Sequence, residues 1–150
     1  MKSNLILFVI AVVFIVFSSS HSKKVAATSN KELNICVSME LLKKPVDSLR
    51  MDPLQIDSLA LNKNCLDVYV SYGGGCGEVR FNMFYTNIVL NSFPPQTTIY
   101  LEFEDNDHCR SIVNKKLTFN MEPFLENAKN GGIWIQIANE KESRILYRSE

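Results

Sequence analysis

Apolar and polar residues alternate with period two through most of the chain after Leu54. Between Cys65 and Tyr72, the apolar Leu66, Val68, Val70 and Tyr72 alternate with polar or smaller residues, the pattern of a half-buried strand. Gly73-Gly74-Gly75-Cys76-Gly77 follows, a turn free to take positive φ. Val79, Phe81, Met83 and Tyr85 then resume the alternation on one face. This reads as a hairpin with a cysteine at its tip.

The same pattern places the other elements. LQIDSLALN, starting at Leu54, predicts a strand closed by the turn residues Asn62-Lys63-Asn64. Beyond Pro94-Pro95, TTIYLEFE sets Ile99, Leu101 and Phe103 on one face, and an acidic loop runs to Cys109. A strand is expected from Ser111 towards Asn120, with Leu117 and Phe119 inward. Pro123 to Lys129, bounded by proline and by Gly131, suits one short helix. GIWIQIA gives Ile133, Ile135 and Ile137 one face and Trp134 the other, and SRILYR closes the chain after a polar turn. Before Leu54 the pattern is weaker: LNICVSM suits a strand and MELLKKPV a helical turn stopped by Pro45. Short strands between turns, without long helices, indicate an all-β fold, an antiparallel meander or sandwich or an open barrel. Residues 54–150 make the single β domain, and residues 28–53 a weakly ordered segment before it.

The start of the chain changes the compartment. Lys2, the apolar run Leu5–Phe17 and Ser18-Ser19-Ser20 form the basic, apolar and small-residue parts of a secretory signal. The run falls short of the ~20 residues of a spanning helix, which leaves an uncleaved anchor as the second reading. Small-x-small sites place cleavage after Ser22 or as late as Ala27, so residues 1–22 are assigned to the signal. The mature protein is expected in the periplasm, the cell envelope or outside the cell, with no integral membrane role after cleavage.

Charge narrows the partners. Cleavage after Ser22 leaves 15 basic against 16 acidic residues, and cleavage after Ala27 leaves 13 against 16. A net charge of −1 or −3 argues against nucleic acid and against electrostatic attraction to anionic lipid.

Four cysteines in an exported chain read as two disulfides, and no pair has CxxC spacing. Cys65 begins a strand that runs towards the glycine turn, so it sits at the opposite end from Cys76, well over ~20 Å away. The next strand runs away from the turn and TTIYLEFE runs back, delivering Cys109 to the end where Cys76 lies. The expected pairs are therefore Cys76–Cys109 and, by elimination, Cys36–Cys65.

Among groups that carry chemistry, the acidic loop Glu102, Glu104, Asp105, Asn106, Asp107 is the candidate cation site, with Glu104, Asp105 and Asp107 as ligands for Ca²⁺. It lacks EF-hand spacing, and a solvated acidic loop explains the same residues. His108 beside Cys109 invites thiol chemistry, but neighbours on an extended chain face opposite ways. Glycine-rich phosphate cradles lead into a helix, whereas a strand follows here. Trp134, Tyr100 and Tyr147 are the candidate aromatic platform for a glycan or peptide, against the plainer reading as sheet packing. A free sheet edge beside GIWIQIA would instead suit another envelope protein.

QIDSLALNKNCLDVYVSYGGGCGEVRF, followed by PPQTTIYLEFEDNDHC, resembles small exported β-proteins of Bacteroidota, among them the NigD-like set of cell-envelope proteins. In that group a strand ends in a Tyr-Ser-Gly-Gly-Cys-like turn, and a later acidic stretch holds Asp before a second Cys. The likeness spans Leu54 to Phe124 and supports the Cys76–Cys109 pair. The group often has a histidine before the aromatic matched by Phe81; Val79 and Arg80 stand there instead, so no role of that histidine transfers. The resemblance implies an exported β-rich protein and names no reaction. The combined expectation is an exported binding or structural module, with a small hydrolase or cation-dependent binder at residues 102–109 as the alternative.

Overall fold

The computed structural model describes residues 36–138 and 143–149. The expected secretory segment, its expected cleavage sites and the first residues of the 28–53 segment lie outside the described residues. Nine strands follow in chain order: β1 (Val37–Ser38), β2 (Glu40–Leu41), β3 (Gln55–Asn62), β4 (Cys65–Gly74), β5 (Val79–Tyr85), β6 (Gln96–Asp105), β7 (Ser111–Asn120), β8 (Ile133–Ile137) and β9 (Arg144–Tyr147). A 3-10 turn at Glu122–Phe124, with Pro123 in its first turn, leads into the short helix α1 (Leu125–Lys129), the one α-helix among the described residues.

The strands form a sandwich of two sheets, ordered β1-β7-β4-β3 and β2-β5-β6-β8-β9. The sequence-predicted inward faces meet between them. Leu66, Val68 and Val70 of β4 are buried against Ile99, Leu101 and Phe103 of β6 and against Ile133, Ile135 and Ile137 of β8, in one core. Complete burial of side chains this size is worth roughly 1.5–3 kcal/mol each, which is what holds the two layers face to face. The sheets are mixed rather than purely antiparallel: β1 on β7, β2 on β5 and β6 on β8 are parallel pairs.

The glycine turn is not a hairpin. β4 is paired along its whole length with β7, from Cys65 opposite Asn120 to Gly74 opposite Ser111, and its other edge carries β3. No edge remains for β5, which lies in the opposite sheet beside β6. The turn therefore carries the chain from one sheet to the other. The loop between β6 and β7 makes the return crossing at the same corner.

MELLKKPV is not helical. Val37–Ser38 adds to the first sheet, Met39 turns into the core, and Glu40–Leu41 adds to the second. A short extended stretch thus ties the β7 and β5 edges together, a strand switching sheets. Pro45 precedes a 3-10 turn at Val46–Ser48, not a helix end. On the second sheet, Met51 bridges Phe103 of β6, with the Phe103 N–H donated to the Arg50 carbonyl (2.9 Å).

Candidate functional site

The two crossings build the corner in which most of the chemistry-bearing residues sit. Cys76 on the outgoing crossing and Cys109 on the return crossing are joined in a disulfide, with their Cα atoms 5.9 Å apart. Cys36 is joined to Cys65 at the opposite end of β4, also with 5.9 Å between Cα atoms. Strand direction, which the sequence reading used, does not depend on which sheet a strand joins.

Asp107 organises the corner. Its carboxylate accepts the backbone N–H groups of Gly75 (2.6 Å), Cys76 (2.9 Å) and Cys109 (2.8 Å). Its own N–H is donated to Asp105 Oδ1 (2.7 Å). The N–H groups of Cys109 and Gly77, joined by those of Cys76 and Gly75, outweigh the desolvation that opposes them and hold the Asp107 carboxyl down at about 2. Successive N–H groups that converge in this way make an anion nest. The glycine turn does cradle an anion, and the anion is the protein's own carboxylate.

Glycines are required there by space as well as by φ. Gly75 sits at φ +115°, and a Cβ on Gly77 would lie 2.7 Å from the Asp107 Cα. Beneath the corner, Phe81 stacks on Phe103 with centroids 4.7 Å apart, and the Tyr72 ring packs against both. Burial pushes the Tyr72 hydroxyl above its ordinary pKa, and the charges of Asp107 and Asp105 push the same way.

Glu104, Asp105 and Asp107 do not converge on a common point. Glu104 pairs with Arg50 (3.3 Å) and, more distantly, Arg80 (3.9 Å). Asp105 faces the Asp107 N–H and donates its own N–H to Asp52 Oδ2 (2.8 Å), which Arg50 also holds (2.9 Å). These acids tie residues 50–52 to the end of β6. Glu102 pairs with Lys44 (2.8 Å) and accepts from Asn82 (3.0 Å). Burial opposes its ionisation, yet those two partners hold its carboxyl below the ordinary range. Among the described residues, the one close group of metal-ligand types is Cys76, Asp107 and Cys109, and both of its sulfurs are in the disulfide. His108 is exposed beside that disulfide, so the corner offers it no thiolate.

The three aromatics do not form a platform. Tyr147 is fully buried, and its hydroxyl donates to Asn64 Oδ1 (3.1 Å). In RILY, Ile145 and Tyr147 take the inward face, while Leu146 stands opposite Trp134 on the outer one. Trp134 is half-buried under the Arg144 guanidinium, 5.0 Å from its ring. Trp134 lies opposite Gln96 on β6, four residues from Tyr100, a separation of roughly 13 Å along the strand. The GIWIQIA strand is not an edge either, since β8 lies between β6 and β9.

A cleft of about 390 Å³ opens beside β6, between the end of β8 and Met51–Leu54. Its floor is apolar (Ile56, Leu101 and Ile137), and Asp52, already bonded, is the one ionisable group among its described lining residues. Sequence reasoning missed the part played by Asp107 because its partners lie 31 and 32 residues away. The available signal was a glycine-rich crossing and an Asp-x-Cys crossing, each with one half of a disulfide.

No protein-family pattern matches the chain, and no curated protein matches it in sequence. Solved structures do match in shape. A NigD-like immunity protein from Bacteroides caccae superposes with a TM-score of 0.51 at 16% identity, covering 74% of this chain and 57% of that one. In fold, the chain is similar to a NigD-like protein. A protein of unknown function from Bacteroides vulgatus gives a TM-score of 0.49 at 14% identity, covering 75% of this chain and 56% of that one. The chain thus spans less than two thirds of either neighbour's length. At this identity the likeness is one of fold. Two disulfides accord with an oxidising compartment. Among the described residues no helix is long and apolar enough to cross a membrane.

Proposed function

We infer that this protein is exported to the cell envelope or periplasm and acts there as a binding module, without catalysis of its own. The observation that carries the reading is the use made of the corner's reactive groups: Cys76 and Cys109 cross-link two sheet crossings, and Asp107 fills the nest between them. Groups spent on holding the fold are not free to attack or to titrate near neutral pH.

The test is intact mass of the protein recovered from its native exporting host, alkylated with and without reduction, followed by non-reducing peptide mapping. A mature N-terminus after Ser22 or Ala27 with Cys76–Cys109 and Cys36–Cys65 cross-links is the expected result. Free Cys109 beside His108 in the mature protein would sink the reading and move thiol chemistry to the front. Thermal unfolding with and without calcium addresses the cation-dependent alternative: a calcium-dependent rise in Tm would favour it, and an unchanged Tm is expected.

A further inference from the structure

Four strands lie at the sheet edges: β1 and β3 in the first sheet, β2 and β9 in the second. β1 and β2 are only two residues long. β9 has four, with Arg144 at its start and Arg148 just past its end. β3 has eight, Gln55–Asn62, and among the described residues no strand pairs with its outer side. Natural proteins usually blunt such an edge with charge, proline or a bulge. β3 has a bulge between Ile56 and Ser58, but Ser58-Leu59-Ala60-Leu61-Asn62 beyond it is uncharged and in unbroken register with β4.

The direction of the free backbone groups follows from the turn. Asn62 and Cys65 close a two-residue turn at Lys63-Asn64, which makes them a hydrogen-bonded pair. Bonding alternates along an antiparallel pair, so Ala60 is bonded to β4 as well, opposite Asp67. Leu59 and Leu61 therefore turn their N–H and C=O groups to the open edge. Their side chains stand opposite Val68 and Leu66 on the inward face, where they pack on the core but stay only partly buried. Ala60 lies on the outer face.

This edge matches itself. In an antiparallel pair about a two-fold axis at Ala60, Leu59 of one copy faces Leu61 of the other, Ser58 faces Asn62 and Ala60 faces Ala60. Each Leu59 then exchanges N–H···O bonds with a Leu61 through the groups that point outward, and the leucine side chains cover one another on the inward face. Asp57 and Lys63 flank the stretch, and the same axis brings each Asp57 to a Lys63. Asp57 accepts from Ser71 Oγ (3.0 Å), and neither it nor Lys63 has an ion-pair partner among the described residues. β9 offers no such match, because pairing centred on Leu146 would set Arg144 opposite Arg148. We propose that the β3 edge is the interface of a homodimer, in which two copies join their four-stranded sheets across Ser58–Asn62 and Asp57–Lys63 ion pairs fix the register. One strand pair buries less than a permanent interface does, so the dimer is reversible and concentration-dependent. The proposal goes beyond the binding reading and does not rest on it.

The test is sedimentation equilibrium of the oxidised protein from its exporting host, over a range of concentration and salt. A monomer–dimer equilibrium that weakens with salt is the expected result. Asp57→Lys alone and Lys63→Asp alone each set like charges together at both ends of the pair. Each should raise the dissociation constant at least about tenfold. An equimolar mixture of the two variants restores opposite charges at both ends, and should associate about as tightly as the parent. Protein that stays monomeric at the highest concentration reached would overturn the proposal. So would a dimer indifferent to both reversals, whose contact must lie elsewhere, or a mixture no tighter than its components. Should a charge variant lose stability, Ala60→Cys decides alone. The axis brings the two Cα atoms to roughly 4.5 Å, within disulfide reach. Non-reducing peptide mapping should find the introduced thiols joined between copies beside intact native bridges, and absence of that cross-link would overturn the proposal. None of these outcomes alters the mass-mapping result, on which the export reading stands or falls.

Discussion

The glycine corner makes a sharp prediction, because two of its glycines differ in one respect. A Cβ on Gly73 would meet nothing within 4 Å, whereas one on Gly77 would lie 2.7 Å from the Cα and 2.9 Å from the Cβ of Asp107. Neither residue has positive φ, so backbone strain does not separate them. Alanine at either site stiffens the unfolded chain equally, by roughly 0.4–1 kcal/mol, and that contribution cancels in the comparison. What remains is the clash. Its relief would require the two crossings to part, and they are clamped by the adjacent Cys76–Cys109 disulfide and by the N–H bonds onto Asp107. Overpacking of this kind costs about 1–3 kcal/mol.

Gly77→Ala should therefore unfold roughly 4–12 °C below Gly73→Ala, at about 4 °C per kcal/mol for a domain of this size. Gly73→Ala should be at least as stable as the parent, by up to about 1 kcal/mol. Urea titration of both oxidised variants, with the slope checked for constancy, measures the difference. If the two variants unfold together, the close approach of the crossings is wrong, and the role given to Asp107 falls with it.

Two further outcomes follow from the same corner. Replacing Cys76 and Cys109 together by serine releases a bridge between residues 33 apart, and loop-closure entropy puts the loss at roughly 3–4 kcal/mol in urea titration; a loss below ~1 kcal/mol would show that the corner holds its shape without the bridge. The Asp107 carboxyl titrates at about 2 in the folded protein, below the ordinary value of 3.8, so its contribution is complete above about pH 4 and disappears as the pH falls towards 2. The unfolding midpoint followed against pH should drop across that window, and Asp107→Asn should flatten the drop; an equal drop in the variant would assign the acid sensitivity to other carboxylates.

What the sequence made legible is whatever a strand shows locally. Six strands, β3 to β8, are long enough for alternation to mark their inward faces, and Leu66, Val68, Val70 and Tyr72 go to the core for that reason. Pairing is a different matter, because it is settled between distant segments. Gly73–Gly77 reads as a hairpin turn until β7, 46 residues after the start of β4, takes the edge that β5 would have used. The disulfide inference did not suffer, since the end at which a cysteine emerges depends on strand direction and not on strand partner. Elements of two residues, β1 and β2, show no period at all. Tyr147 sits in an unbroken apolar run, Ile145-Leu146-Tyr147, where alternation is silent about which face turns inward. The chain thus hides its long-range contacts: the corner had to be found in three dimensions, because Gly75 and Cys76 stand 32 and 31 residues from the Asp107 that holds them.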